Sequence, residues 1–286
     1  MAPPTGSSLR FTQLRMTACG RRRVARDVVL SDKDRAQKQR RAAMRRMWLV
    51  TGLAAGLLAG ASARAEGDGK LKVLIVSGGH GFNQPAFFQM FKDNPDIAYT
   101  EVKHQKTSEV YDREDLLSYD VLVLYDFWQK ITDEQKKKFE SLFDKGVGLV
   151  VLHHALANYQ DWPKFEEVVG GKFVMRDEVR DGAKVPRSGT GGGPLNIHVC
   201  SKDHPITKDM DDWKYQDEYY NKCLVSKDVT VLLTTDCPSN QKEVAWCREQ
   251  GKSRVVYIMN GHDEKVYNNP NYRKVLANAI RWAARK

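Results

Sequence analysis

Four of the seven histidines in this chain stand just beyond short apolar runs. His80 follows the run at 72–77, within Gly78-Gly79-His80-Gly81-Phe82. His153 and His154 follow the run at 148–152, and Asn260-Gly261-His262-Asp263 follows the run at 254–259. An imidazole titrates near neutrality, so it can move protons, and its neutral form ligates metals. A further run, at 119–125, leads into Asp126-Phe127-Trp128, and Asp217-Glu218-Tyr219-Tyr220 sets two carboxylates beside aromatic rings. On residue type, His154 and His262 are the candidate acid/base groups, with Glu218 as the partnering carboxylate. His80, Phe82, Asp126, Trp128, His153, Asp217, Tyr219 and Asp263 are the candidate substrate-binding residues. The same imidazoles and carboxylate would suit a divalent metal such as zinc with an open position. No close ligand pair such as His-x-x-x-His is present, so a metal would depend on the fold gathering strand ends.

Each of these residues also has a plainer reading. The Gly78-Gly79-His80-Gly81 turn lacks the spacing of the common phosphate-binding fingerprints and reads equally as a tight turn. His153 and His154 are neighbours, and on extended chain one would point inward and the other outward, leaving one of them structural. The Asp217-Glu218 pair competes with a solvated turn. His198 reads as a satisfied structural histidine on a strand, His204 as a cap on local backbone before Pro205, and His104 as a surface residue.

The elements that must position these groups follow from periodicity. The runs at 72–77, 119–125 and 148–152 are continuously apolar over 73–76, 121–125 and 148–152, the pattern of parallel strands covered on both faces. Residues 99–102 read as a shorter strand, and 85–91 as a helix. Thr132 with Gln135 forms a capping box ahead of a helix to about Lys145, where Phe139, Leu142 and Phe143 share one face and Gly146 ends it. Strands are also expected at 195–199 and 229–235, with 243–247 and 254–259 paired about Gln250-Gly251-Lys252. Residues 271–284 close the chain as a helix with Val275, Ala279 and Trp282 on one face. The stretch 179–194 has no periodicity and reads as a long loop. Strands alternating with helices predict an α/β fold with a mostly parallel sheet, whose ligands sit beyond the carboxyl ends of the strands.

The chain carries 46 Lys/Arg and 36 Asp/Glu, a net charge of +10. Residues 1–65 hold 14 basic and 3 acidic residues, leaving 32 and 33 for 66–286. The body is therefore almost neutral, which argues against a nucleic-acid partner. Arg40, Arg41, Arg45 and Arg46 precede the apolar stretch 47–60, followed by Ala63-Arg64-Ala65. This is the order of a cleavable signal peptide, predicting a start near Glu66, a periplasmic or secreted location, and membrane contact only during export. Arg45-Arg46 leaves the twin-arginine and general export routes both open. Apart from Cys19, the cysteines are Cys200, Cys223, Cys237 and Cys247. Cys237 and Cys247 could face each other across a hairpin, or all four could be free thiols. Residues 66–286 read as a single domain, as a monomer or a homo-oligomer.

The turn at Leu152-His153-His154 has the strand-turn-helix order of a nucleophile elbow, but no Ser or Cys stands there. Together with Gly78-Gly79-His80-Gly81-Phe82, the strand at 119–123, and Gly148-Leu149-Val150-Val151-Leu152-His153-His154-Ala155, the chain resembles the ThuA-like (trehalose utilisation) family. Val169-Gly170-Gly171-Lys172-Phe173, Asp203-His204-Pro205-Ile206-Thr207, Asp217-Glu218-Tyr219-Tyr220, Ala245-Trp246, Gly261-His262-Asp263 and Ile280-Arg281-Trp282-Ala283-Ala284 extend the resemblance to about 70–284. It departs after Phe173, where 174–177 lack a histidine and a glycine-rich stretch follows. The resemblance implies a three-layer α/β/α sandwich similar to class I glutamine amidotransferases without the catalytic cysteine. It further implies a role in carbohydrate catabolism, acting on a disaccharide, glycoside or keto-sugar. A non-catalytic carbohydrate-binding protein on the same scaffold is the competing expectation.

Overall fold

A strand without a polar face needs cover on both sides, and the apolar runs obtain it by lying side by side at the centre of one sheet. The computed structural model describes residues 69–286, and these belong to one compact unit. Nine strands make the sheet: β1 (Leu71–Gly78), β2 (Ile97–Lys103), β3 (Val121–Asp126), β4 (Gly148–Leu152), β5 (Gly189–Val199), β6 (Trp213–Asn221), β7 (Thr230–Thr235), β8 (Glu243–Gln250) and β9 (Ser253–Ile258). Their spatial order is β2-β1-β3-β4-β9-β8-β7-β5-β6. Pairings from β2 through β9 are parallel, and those from β9 out to β6 are antiparallel. The sheet is thus mixed, with the expected parallel arrangement forming one half.

Helices cover both faces. On one side α1 (Gln84–Lys92) and the short α4 (Glu264–Tyr267) pack together beside α5 (Pro270–Ala283). There Phe87 stacks on Tyr125 and meets Phe91 and Tyr267. On the other side lie α2 (Asp133–Lys145) and α3 (Pro163–Val169), where Phe139 meets Tyr111, Trp162 and Phe165. The α/β/α layering that the family resemblance implies is therefore present. The capping box is formed, since Thr132 Oγ1 accepts from Gln135 N while Gln135 Oε1 accepts from Thr132 N. Val275 and Ala279 are buried as expected, but Trp282 is only half-buried, covered by His204 and by the Arg254 guanidinium.

The segment 179–194 is not a loop. Glu178–Arg180 and Ala183–Val185 form a hairpin, and from Gly189 the chain belongs to β5, paired with β6 along its length. Glycines present no side-chain alternation, so backbone pairing leaves no trace in the pattern. Their use is visible in the packing: a Cβ on Gly191 would stand 2.4 Å from the Tyr219 ring, which lies across the strand. The four cysteines among the described residues are free. The basic leader, the apolar stretch at 47–60 and Cys19 lie outside the described residues. Among the described residues no helix is long and apolar enough to cross a membrane.

Candidate functional site

β4 ends at Leu152 and the chain turns at once into a tight helical segment, His153–Ala157. His153 takes φ +48°, the left-handed region that a side chain enters only when its surroundings fix it. They do so here. Tyr257 Oη donates to the His153 carbonyl at 3.2 Å, and the His153 ring stacks on Tyr220. His153 Nδ1 lies 2.7 Å from the Met259 carbonyl oxygen, which can only accept, so Nδ1 carries the proton. The elbow inferred from sequence is therefore built, with an imidazole where a nucleophile would stand.

His153 Nε2 then points at three polar atoms. Glu218 Oε2 is 3.0 Å away, His262 Nδ1 3.1 Å and Tyr220 Oη 3.1 Å. Glu218 Oε2 is also 3.3 Å from His262 Nδ1. Burial alone would push the Glu218 carboxyl up, but the adjoining His153, His262 and His80 rings outweigh it and hold the carboxyl below its ordinary value. The loop carrying His262 is pinned from three sides. Asp217 accepts from Gly261 N at 2.7 Å and His262 N at 3.2 Å, Tyr125 Oη donates to the Gly261 carbonyl, and Tyr267 Oη donates to the His262 carbonyl.

His80 and His154 complete the imidazole group. Their ring centroids are 4.6 Å apart, and His80 lies 5.8 Å from His262. His154 is 6% exposed, and neither of its ring nitrogens has a hydrogen-bond partner. Burial, then the neighbouring His153 and His80 rings, hold His154 well below the ordinary imidazole range. His80 is lowered as well, by burial and then by His262 and His153. A cavity of about 170 Å³ is bounded by His80, Phe127, His154, Phe173, Glu218 and Tyr220. A more open groove of about 500 Å³ runs over Gly191, Gly192, Gly193, Asp217, Glu218, His262, Asp263 and Lys265. Glu218 is a wall of both.

A family model described as trehalose utilisation matches residues 72–283. The chain belongs to the ThuA family. Among solved structures it is similar to a ThuA-like protein of Parabacteroides merdae, with TM-score 0.64 and 18% identity over 75% of this chain and 90% of that one. A ThuA-like protein of Bacteroides uniformis gives TM-score 0.56 and 20% identity over 76% and 93%. A protein of Salmonella typhimurium LT2 described as cytoplasmic gives 0.53 and 12% over 74% and 99%. These likenesses concern the fold. No curated protein matches the chain.

Within this ThuA fold the expected residues separate into two groups. His80, His153, His154, Glu218 and His262 converge, and Asp217 and Asp263 border the groove beside them. Asp263 also caps α4, accepting from Lys265 N. Neither His153 nor His154 is set aside as structural, because the turn at His153 abandons extended geometry and keeps both rings at the rim. The other group lies off the cavity. Asp126 is fully buried on the opposite face from Tyr125, bonded to Asn158 Nδ2 and 3.7 Å from His104. Trp128 packs on His104 and donates to the Lys130 carbonyl. Phe82 packs among Phe87, Phe88 and Tyr125, and Tyr219 covers Gly191. Strand alternation explains the exchange: Phe127 faces the cavity where Asp126 and Trp128 do not, and Tyr220 shares the face of Glu218 two residues away. That two-residue spacing was the signal for Tyr220, whereas Phe173 had none beyond its place in the family motif.

Three other histidines have local roles. His104 is buried rather than at the surface, with Nδ1 accepting from Val110 N at 3.5 Å. His198 is bonded to Asp212 at 2.8 Å, as a satisfied histidine, though it stands at the surface with its side chain 41% exposed. His204 Nδ1 accepts from Ile206 N and so caps the turn.

Proposed function

We propose that this ThuA-family protein is a sugar-processing enzyme acting on a disaccharide, glycoside or keto-sugar at the rim around Glu218. The observation that carries the reading is the shared wall. Glu218 borders both an aromatic-lined cavity and a polar groove, an arrangement suited to two linked sugar units with the reacting bond beside the carboxylate. Burial lowers His80 and His154 and so leaves both rings uncharged, able to hydrogen-bond a sugar hydroxyl next to a carboxylate held ionised. The basic leader with its Ala63-Arg64-Ala65 signal supports export, placing that activity in the periplasm or outside the cell.

The aromatic lining of Phe127, Phe173 and Tyr220 favours a second reading, carbohydrate binding without turnover. Incubation with trehalose, other disaccharides and their 3-keto forms, with products followed by chromatography, separates the two. Turnover lost in His154→Phe and Glu218→Gln supports the enzyme. A ligand that raises the melting temperature yet is recovered unchanged would establish the binding protein instead.

A further inference from the structure

Two atoms that each present a lone pair do not face one another at hydrogen-bond distance without a proton or a cation between them. That conflict exists at this rim. With its Nδ1 proton committed to Met259, neutral His153 offers only a lone pair at Nε2, and that lone pair meets the Glu218 carboxylate at 3.0 Å. His262 Nδ1 closes the triangle, 3.1 Å from one atom and 3.3 Å from the other.

The triangle has the dimensions of a coordination face. Nitrogen and oxygen donors bond zinc-class cations at about 2.0–2.1 Å, which sets tetrahedral neighbours roughly 3.3 Å apart and octahedral ones roughly 2.9 Å apart. All three edges fall within that interval. The Met259 carbonyl behind His153 is the outer partner that metal-bound imidazoles require, fixing the tautomer and the ring. A second, independent feature points to a ligand here. Both nitrogens of buried His154 are unpartnered on the cavity wall that Glu218 also forms.

We infer that His153 Nε2, His262 Nδ1 and the Glu218 carboxylate hold one divalent first-row transition cation, leaving positions open toward the sugar-sized cavities. Two imidazoles and one carboxylate select zinc or ferrous iron over magnesium or calcium, which take oxygen donors. The cation would act as a Lewis acid on a substrate oxygen or a bound water. This deepens the proposed function and rests on it for the role of the rim, while the binding itself rests on the three donor atoms.

The test uses the purified full-length protein, analysed for metals as isolated, then stripped with dipicolinate and titrated separately with Zn²⁺, Co²⁺ and Mg²⁺. One equivalent of Zn²⁺ or Co²⁺ is expected, with the visible d–d absorption of cobalt at low coordination number, and no stoichiometric Mg²⁺. His153→Ala, Glu218→Gln and His262→Ala should each weaken binding at least about 10–100-fold. His262 is the most exposed of the three ligands, so its variant stays informative should His153→Ala misfold. Less than about a tenth of a metal per folded chain, or binding unchanged in the His262 variant, overturns the site. Stoichiometric metal without sugar turnover would instead sink the proposed activity and keep the metal. Turnover that survives full stripping would sink the cation's role as a Lewis acid and keep the activity.

Discussion

Asp217 accepts the backbone N–H of Gly261 at 2.7 Å, so the strand that supplies Glu218 also holds the loop that carries His262. Two members of the cluster, distant in the chain, are thereby fixed by adjacent residues on β6. The carboxyl of Asp217 is raised by its burial, with His153 and the N–H groups of Gly261, Glu218 and His262 working against that rise.

Replacing Asp217 with Asn separates positioning from packing. The amide keeps the volume but offers one acceptor in place of two, leaving one buried loop N–H unpaired, at about 1–3 kcal/mol. The melting temperature should fall by roughly 2–10 °C for a domain of this size. A shift of the His262 ring by about 1 Å should lower kcat by about 100-fold at temperatures where circular dichroism shows the variant fully folded, a loss that unfolding does not account for.

Asp126 and His104 form a buried pair whose pH behaviour can be read by unfolding. Burial pushes the Asp126 carboxyl from 3.8 up to about 7, with Asn158 opposing the shift, and pushes His104 from 6.5 down to about 4, with Glu109 opposing. The remaining groups facing the pair, Tyr111 and Tyr159, are buried phenols held un-ionised. Because the folded Asp126 keeps a proton that the unfolded chain releases, its contribution is fully present below pH 3.8 and is lost as pH rises to about 7. His104 acts in the opposite sense, with stability present above pH 6.5 and lost as pH falls toward 4. In urea titrations between pH 5 and 8, Asp126→Asn should gain on the parent as pH rises, by on the order of 1.4 kcal/mol per pH unit at the steepest. A difference between the two that stays flat across this range would refute the assignment.

Gly79 stands where the β1 turn meets the β3 turn. A Cβ there would lie 2.0 Å from the Phe127 carbonyl oxygen, and the residue has φ +74°. Gly79→Ala must therefore carry left-handed strain of about 1–2 kcal/mol and also push apart two backbones. We expect a loss of several kcal/mol in chemical unfolding. Gly81→Ala provides the contrast, since nothing lies within 4 Å of its added carbon. Its change should stay within about 0.5 kcal/mol.

Local sequence determined the framework. The apolar interiors of the runs at 72–77, 119–125 and 148–152 had to be covered on both faces, and Thr132 with Gln135 had to start a helix, whatever the remainder of the chain did. It also determined that His80, His153, His154 and His262 end strands, and hence that they meet at one rim once those strands run parallel. Tertiary structure decided which atoms face which. The left-handed turn at His153 aims its ring at Glu218, Asp126 turns away to meet His104, and the glycines of β5 join the sheet by backbone bonds alone. Side-chain type and spacing record what a segment can bury, whereas the direction of a ring depends on dihedral angles and partners supplied by residues far along the chain. That is why Glu218 and His262 could be paired from sequence, whereas the place given there to His154 beside them falls to His153.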